Sequence, residues 1–400
     1  MDASLPDSNT AWQKQVASHG LGGKTIHQAS FRDSASKINK KQFLLLRVLH
    51  RPLQDAGELF SKDYLKDFIA ESYIKRAFLF IASESNTSFA QYHASIESQP
   101  TSSRPFSASD TAFPELGTFT LVRYFQLASM DLLTTDYEDT PKLEFAPPAP
   151  REAAVKAKAA VRDMLTTPTK STGVMTHLLG RDTPDISKLK ISDLSMTPQS
   201  PMNSVTGRQV KAIEDEQIVN TALISFLIAV TLHSPQIKAD WSLSRMAFSV
   251  SDEAQGSKKI FEARVDGVLR MRKGREVKAI AEVKPYLRHQ KKYNDVRMQE
   301  AAQMAAWICT NPPANLDELR ANKKKKATRL LISQDRHEIY VNFATFGAAY
   351  VDYIRGSPSF DETEAFLTIQ ETGPYNVDNH KHMRNLATLM YAFTLQECRD

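Results

Sequence analysis

Asp266, Glu282 and Lys284 are the residues whose types and spacing can do chemistry in this chain. The last two lie in "AIAEVKPYLRHQ", residues 279–290, where a short apolar run carries opposite charges and breaks at Pro285. Residues two apart on a strand share a face, so Glu282 and Lys284 point one way while Ala279, Ala281 and Val283 point the other. Charge inside an apolar layer is costly unless it is paired or bound to an ion. The pair is therefore either a structural salt bridge or a site. As surface charges on an edge strand the two would contribute under about 1 kcal/mol.

Asp266 lies in the preceding run, "IFEARVDGVLRMR", residues 260–272. It meets Glu282 and Lys284 on one face only in a register that sets 266 opposite 282 or 284. That register requires an odd loop, for which Lys273-Gly274-Arg275 qualifies because glycine accepts a positive φ. Two carboxylates converging at a sheet edge repel unless a cation lies between them. Hard oxygen ligands with room for water suit Mg²⁺ or Mn²⁺. Such an ion polarises a phosphodiester and lowers the pKa of a bound water. Lys284 beside it would hold that water or neutralise charge growing on phosphoryl oxygens, and a neighbouring metal would push its pKa down toward a base's range.

The elements that must position these groups are legible from about residue 210 onward. "QVKAIEDEQIVNTALISFLIAVTL" reads as a helix, and strands follow at 241–250, 260–272 and 277–285 in a meander. A helix then covers 295–310, and a further strand pair covers 329–333 and 337–346. The final segment reads as a helix capped by Asp378, with Met383, Leu386, Leu389, Met390 and Phe393 on one stripe.

"RVDGVL" followed sixteen residues on by "AIAEVKP" resembles the PD-(D/E)xK nuclease superfamily, and the flanking text resembles its fungal-type nuclease-like domain. The resemblance covers roughly residues 210–400. It implies an α+β fold with an αβββαβ restriction-endonuclease-like core, and Val265 replaces the proline that names the motif. It further implies metal ligands at Asp266 and Glu282, a catalytic Lys284, and a glutamine on the following helix, best matched by Gln299. A glutamate on the first core helix would join the metal shell: Glu216, with Asp215 and Glu214 as competitors. Read without the resemblance, three acids in a row also suit a helix N-terminus, and Gln299 with Gln303 also suits the polar stripe of an amphipathic helix. The implied activity is metal-dependent hydrolysis of nucleic acid, DNA or RNA, with Mg²⁺ or Mn²⁺ as cofactor.

The rest of the chain supplies less. Residues 1–40 read as a loose arm, 41–140 as a helical region and possible protein-partner surface, and 141–209 as a Pro/Ser/Thr-rich linker holding one candidate helix, "REAAVKAKAAVRDML". The net charge of +5 tilts the 400-residue chain mildly toward anionic partners. Arg288, Lys291 and Lys292, just past the proposed metal, are the candidate phosphate contacts, whereas the lysine run 323–326 reads as solvated loop. Two cysteines without metal-type spacing fit a reducing, intracellular compartment. The most apolar stretch, residues 222–232, is about half of the roughly 20 residues a bilayer crossing needs, so no membrane association is expected. His380 and His382 read as solvent-facing. On this reading Asp266→Asn and Lys284→Ala abolish cleavage and leave the thermal transition nearly unchanged. The competing reading is a catalytically silent nuclease-like fold that acts as an interaction module.

Overall fold

Every residue of Val277–Lys284 except Lys278 is buried, which demands cover on both faces and a neighbour on each edge. A computed structural model describes residues 4–28, 34–58, 60, 63–83, 85–98, 115–132, 207–291 and 293–399, and it supplies both. Its strands are β1 (Val48–His50), β2 (Ala239–Ser242), β3 (Met246–Asp252), β4 (Lys258–Val265), β5 (Gly267–Met271), β6 (Val277–Lys284), β7 (Ala327–Asp335), β8 (Glu338–Phe346) and β9 (Leu367–Asn376). Seven form one mixed sheet in the order β1-β9-β8-β7-β6-β5-β2, while β3 and β4 form a two-stranded sheet. Within the larger sheet β6 lies between antiparallel β5 and parallel β7.

The described helices are α1 (Asn9–Ser18), α2 (Lys40–Leu45), α3 (Glu71–Ile81), α4 (Thr87–Ser98), α5 (Thr120–Met130), α6 (Gly207–Thr231), α7 (Arg288–Lys291), α8 (Tyr293–Thr310), α9 (Leu316–Ala321), α10 (Ala348–Ile354) and α11 (His380–Glu397). Ala279, Ala281 and Val283 of β6 belong to a core shared with α6 and α11. Ile280 belongs to the core on the other face, with Trp307 of α8 and Tyr350 of α10. The sheet is thus sandwiched between helical layers, and the alternation of β6 sends Glu282 and Lys284 into the layer that holds α8.

The chain is mixed α+β with a mostly helical N-terminal part, and the three strands expected between α6 and the following helix are five, β2 to β6. Several expectations need correction. The described residues up to 132 and those from 213 onward belong to one compact unit. The N-terminal part is therefore neither a loose arm nor a separate region: Leu5, Val16 and Ile26 are buried in the α8-side core, and β1 adds an edge strand to the sheet by pairing parallel with β9. The apolar text at 43–50 divides into α2 and β1 at Arg47, whose positive φ breaks the helix. The candidate helix at 151–165 lies outside the described residues. Helix α11 is capped by Asn379, whose side chain accepts from the backbone of Lys381 and His382, rather than by Asp378. Among the described residues no helix is long and apolar enough to cross a membrane.

Candidate active site

Two long strands were expected before β6; each is broken once, and the breaks build the site. Residues 243–245 separate β2 from β3, and Asp266 alone separates β4 from β5. Since β2 and β5 stay in the large sheet while β3 and β4 pair with each other, the hairpin bends out of the sheet at Arg245 and Asp266. Gly267 makes the bend possible. A Cβ there would lie 2.7 Å from Ile224 Cδ1 and 3.0 Å from the Ser242 carbonyl oxygen, so only glycine lets β5 approach α6 and β2 this closely.

The register is the even one the site requires, reached by a different route. Of the five residues between β5 and β6, 272–275 form a four-residue turn closed by the Met271 N–H on the Glu276 carbonyl at 2.9 Å, with Gly274 and Arg275 at positive φ. A bulge beside Leu269 and Arg270 adds the odd residue to β6, so that Val268 faces Ile280 and Gly267 faces Ala281. Carried on by one residue, this brings Asp266 level with Glu282. The ladder stops at Ala281, leaving one edge of β6 open, and Asp266 closes it. Its N–H donates to the Ala281 carbonyl at 2.9 Å, and its Oδ2 accepts the Val283 N–H at 3.2 Å. Asn220 of α6 holds the Asp266 carbonyl through Nδ2 at 3.2 Å.

Glu282 and Lys284 are both buried on a central strand, so the pair is not the exposed edge pair that would contribute little. Lys284 Nζ donates to Glu282 Oε1. Gln299 Nε2 donates to the same oxygen at 2.5 Å, and Gln303 Nε2 donates to Oε2 at 2.6 Å and to the Arg264 carbonyl at 2.8 Å. The two glutamines are therefore no solvent-facing stripe; one turn apart on α8, they clamp one carboxylate. Of the three acids on α6, Glu214 is exposed and Asp215 is buried, while Glu216 faces Arg245. One nitrogen, Arg245 Nη2, lies 3.1 Å from Glu216 Oε1 and 3.3 Å from Asp266 Oδ1.

Burial and then the charges of Glu282 and Glu216 push the Asp266 carboxyl up to about 8, against the opposing pull of Lys284 and Arg245. Burial by itself would lower the Lys284 ammonium; the Glu282 carboxylate, with Tyr286, Glu216 and Asp266, outweighs it and holds the group well above its ordinary value. Among the protein's own groups Lys284 is thus a fixed positive charge rather than a base.

The donor chemistry fits a hard divalent ion. Asp266 and Glu216 present carboxylate oxygens to one point, and Gln303 Oε1, beside Glu282, is buried without a hydrogen-bond partner. Mg²⁺–oxygen distances of about 2.0–2.1 Å would require both acids to close in by roughly 1 Å. Glu282 would have to release a bond to Gln303 or Lys284 to join them. Among the described residues no three His, Cys, Asp or Glu side chains are already grouped as ligands.

Arg288 lies beside this cluster but is already engaged. It is fully buried: Nε binds Asp335, Nη1 binds Glu371 at 2.5 Å, Nη2 binds Glu300 and Ser333 at 2.8 Å each, and its guanidinium lies 3.8 Å from the centre of the Tyr340 ring. A cation already held by three carboxylates, beside the Glu282–Lys284 pair on the same face of the sheet, does not serve as a phosphate contact. The side chains of Lys291 and Lys292 lie outside the described residues. His382 is half-buried and accepts the Asn376 N–H at 3.1 Å through Nδ1, so it does not face solvent. In the 323–326 run, Lys323, Lys325 and Lys326 pair with Asp361, Glu318 and Glu364 at the surface, in keeping with a solvated loop. Arg245 and Asn220 were not foreseen. Neither sits in a pattern that marks it, because their roles arise only where the hairpin bends. Compared with protein-family models, curated proteins and solved structures, the chain finds no match.

Proposed function

We propose that this protein is a metal-dependent nuclease of the PD-(D/E)xK type, built on a restriction-endonuclease-like core and hydrolysing phosphodiester bonds of DNA or RNA inside the cell. The observation that supports this most directly is the meeting of Asp266, Glu282, Lys284, Glu216 and Gln299 at one bend, from four separate elements. In this reading Asp266 and Glu216, joined by Glu282, hold Mg²⁺ or Mn²⁺, which supplies the activated water. Lys284 keeps a positive charge beside the phosphoryl oxygens. Gln299 and Gln303 fix the orientation of Glu282. The test is cleavage of single- and double-stranded DNA and RNA in Mg²⁺ and in Mn²⁺, with Asp266→Asn as the inactive control. Wild-type protein that cuts none of them would sink the proposal.

A second reading, an interaction module that has kept the fold without catalysis, is favoured by the way Lys284, Gln299 and Gln303 occupy both oxygens of Glu282. Calorimetric titration of Mn²⁺ into wild type and Asp266→Ala separates the two, since indistinguishable heats support the module.

A further inference from the structure

We propose that Arg245 and a divalent cation are alternative occupants of the space between Glu216 and Asp266, so that the arginine sets the metal affinity of the site. The inference rests on the nuclease reading above and adds a regulator to it. Two carboxylate oxygens from different elements, Glu216 on α6 and Asp266 at the β4–β5 break, approach a single nitrogen, Arg245 Nη2, at 3.1 and 3.3 Å. That nitrogen marks the point on which oxygens of both acids converge, and a hard cation shared by the same two oxygens has to sit there. Two cations do not share such a point.

The exchange falls on the arginine. Asp266 is held from three sides, by its own N–H on Ala281, by the Val283 N–H on Oδ2 and by Asn220 on its carbonyl, and is only 9% exposed. The Arg245 side chain is 48% exposed and stems from the three-residue break between β2 and β3, where no sheet ladder fixes it. Guanidinium does not surrender its proton in proteins. Arg245 therefore yields the position by swinging into solvent, and its attraction to the two acids is subtracted from whatever the incoming ion gains. A neutral residue at 245 removes the competitor, and a lysine keeps the charge but loses the fork.

The test is calorimetric titration of Mn²⁺ at one fixed pH into wild type, Arg245→Gln and Arg245→Lys, with Arg245→Gln/Asp266→Asn as the site control. Because Arg245 is half-exposed, the single variants are expected to melt close to wild type. Arg245→Gln should bind Mn²⁺ more tightly than wild type by on the order of 5- to 150-fold, the usual size of a coupling between two ligands. Arg245→Lys should fall between them, and the double variant should lose the gain. Equal or weaker binding by Arg245→Gln, alongside measurable binding by wild type, overturns the competition and leaves the metal site standing. No Mn²⁺ heat in either protein, or tight binding that persists in the double variant, overturns both the competition and the metal site it rests on.

Discussion

Replacing Asp266 by asparagine should stabilise the protein, and the gain should grow with pH. In the folded protein the Asp266 carboxyl is raised from an ordinary 3.8 to about 8, by burial first and by Glu282 and Glu216 after it. Between those two values the folded state keeps a proton that the unfolded chain has released. Stability therefore falls as pH rises through this window and levels off above about 8. The whole effect is on the order of 5 kcal/mol, taking about 1.4 kcal/mol per tenfold change in proton affinity. Asparagine carries no such penalty, and its Oδ1 still accepts the Val283 N–H. It loses the contact with Arg245, which is half-exposed and worth under about 1 kcal/mol. The variant should thus exceed wild type by about 1 kcal/mol at pH 5 and by about 4 kcal/mol at pH 8 and above. Urea denaturation of both proteins at pH 5, 6, 7, 8 and 9 measures the difference directly. A difference that stays constant across that range would refute the reasoning, whatever its sign. The sequence alone led to the expectation of an unchanged thermal transition for this variant; burial of the acid among like charges is the reason to abandon it.

Lys284→Met should behave oppositely, because it takes the ammonium partner away from a buried Glu282, a loss of about 3–5 kcal/mol in the same urea assay. Adding Glu282→Gln should recover most of it, and a neutral single variant would show that the ion pair is not buried as described. Arg288→Met leaves Asp335, Glu300 and Glu371 facing one another with only Arg297 on Glu371, and is expected to cost at least about 3–5 kcal/mol, seen as lost near-ultraviolet dichroism or insolubility. A wild-type melting temperature for that variant would remove the argument that Arg288 is a structural residue.

The parts of the fold that were legible in the sequence are those where local text decides. β6 is apolar at five of its eight positions, as a strand covered by helices on both faces requires, and α8 and the strand pair β7–β8 follow from their periods and turns. The β1–β9 side of the sheet was not legible. β1 is three residues long and β9 contains Gly373 and Pro374, so neither carries a strand signal strong enough to outweigh its surroundings. The breaks in the two long strands were hidden for another reason: "WSLSRMAFSV" and "IFEARVDGVLRMR" alternate well enough on either side of the bend, and nothing local says that the halves join different sheets.

The candidate site divides the same way. The sequence by itself determined that Glu282 and Lys284 share a face, because side-chain alternation on a strand is a local property of the backbone. It also determined that Asp266 would reach them only in an even register. The tertiary structure decided that the register is even, through a bulge rather than a three-residue loop, and that two glutamines one turn apart both close on Glu282. It alone decided that Arg288 is spent on three buried acids and that Arg245 bridges Glu216 and Asp266. Those outcomes depend on which elements lie across from one another and how deeply they are buried, and the strength of a charge interaction is set by just these two quantities, distance and exclusion of water, which no spacing along the chain records.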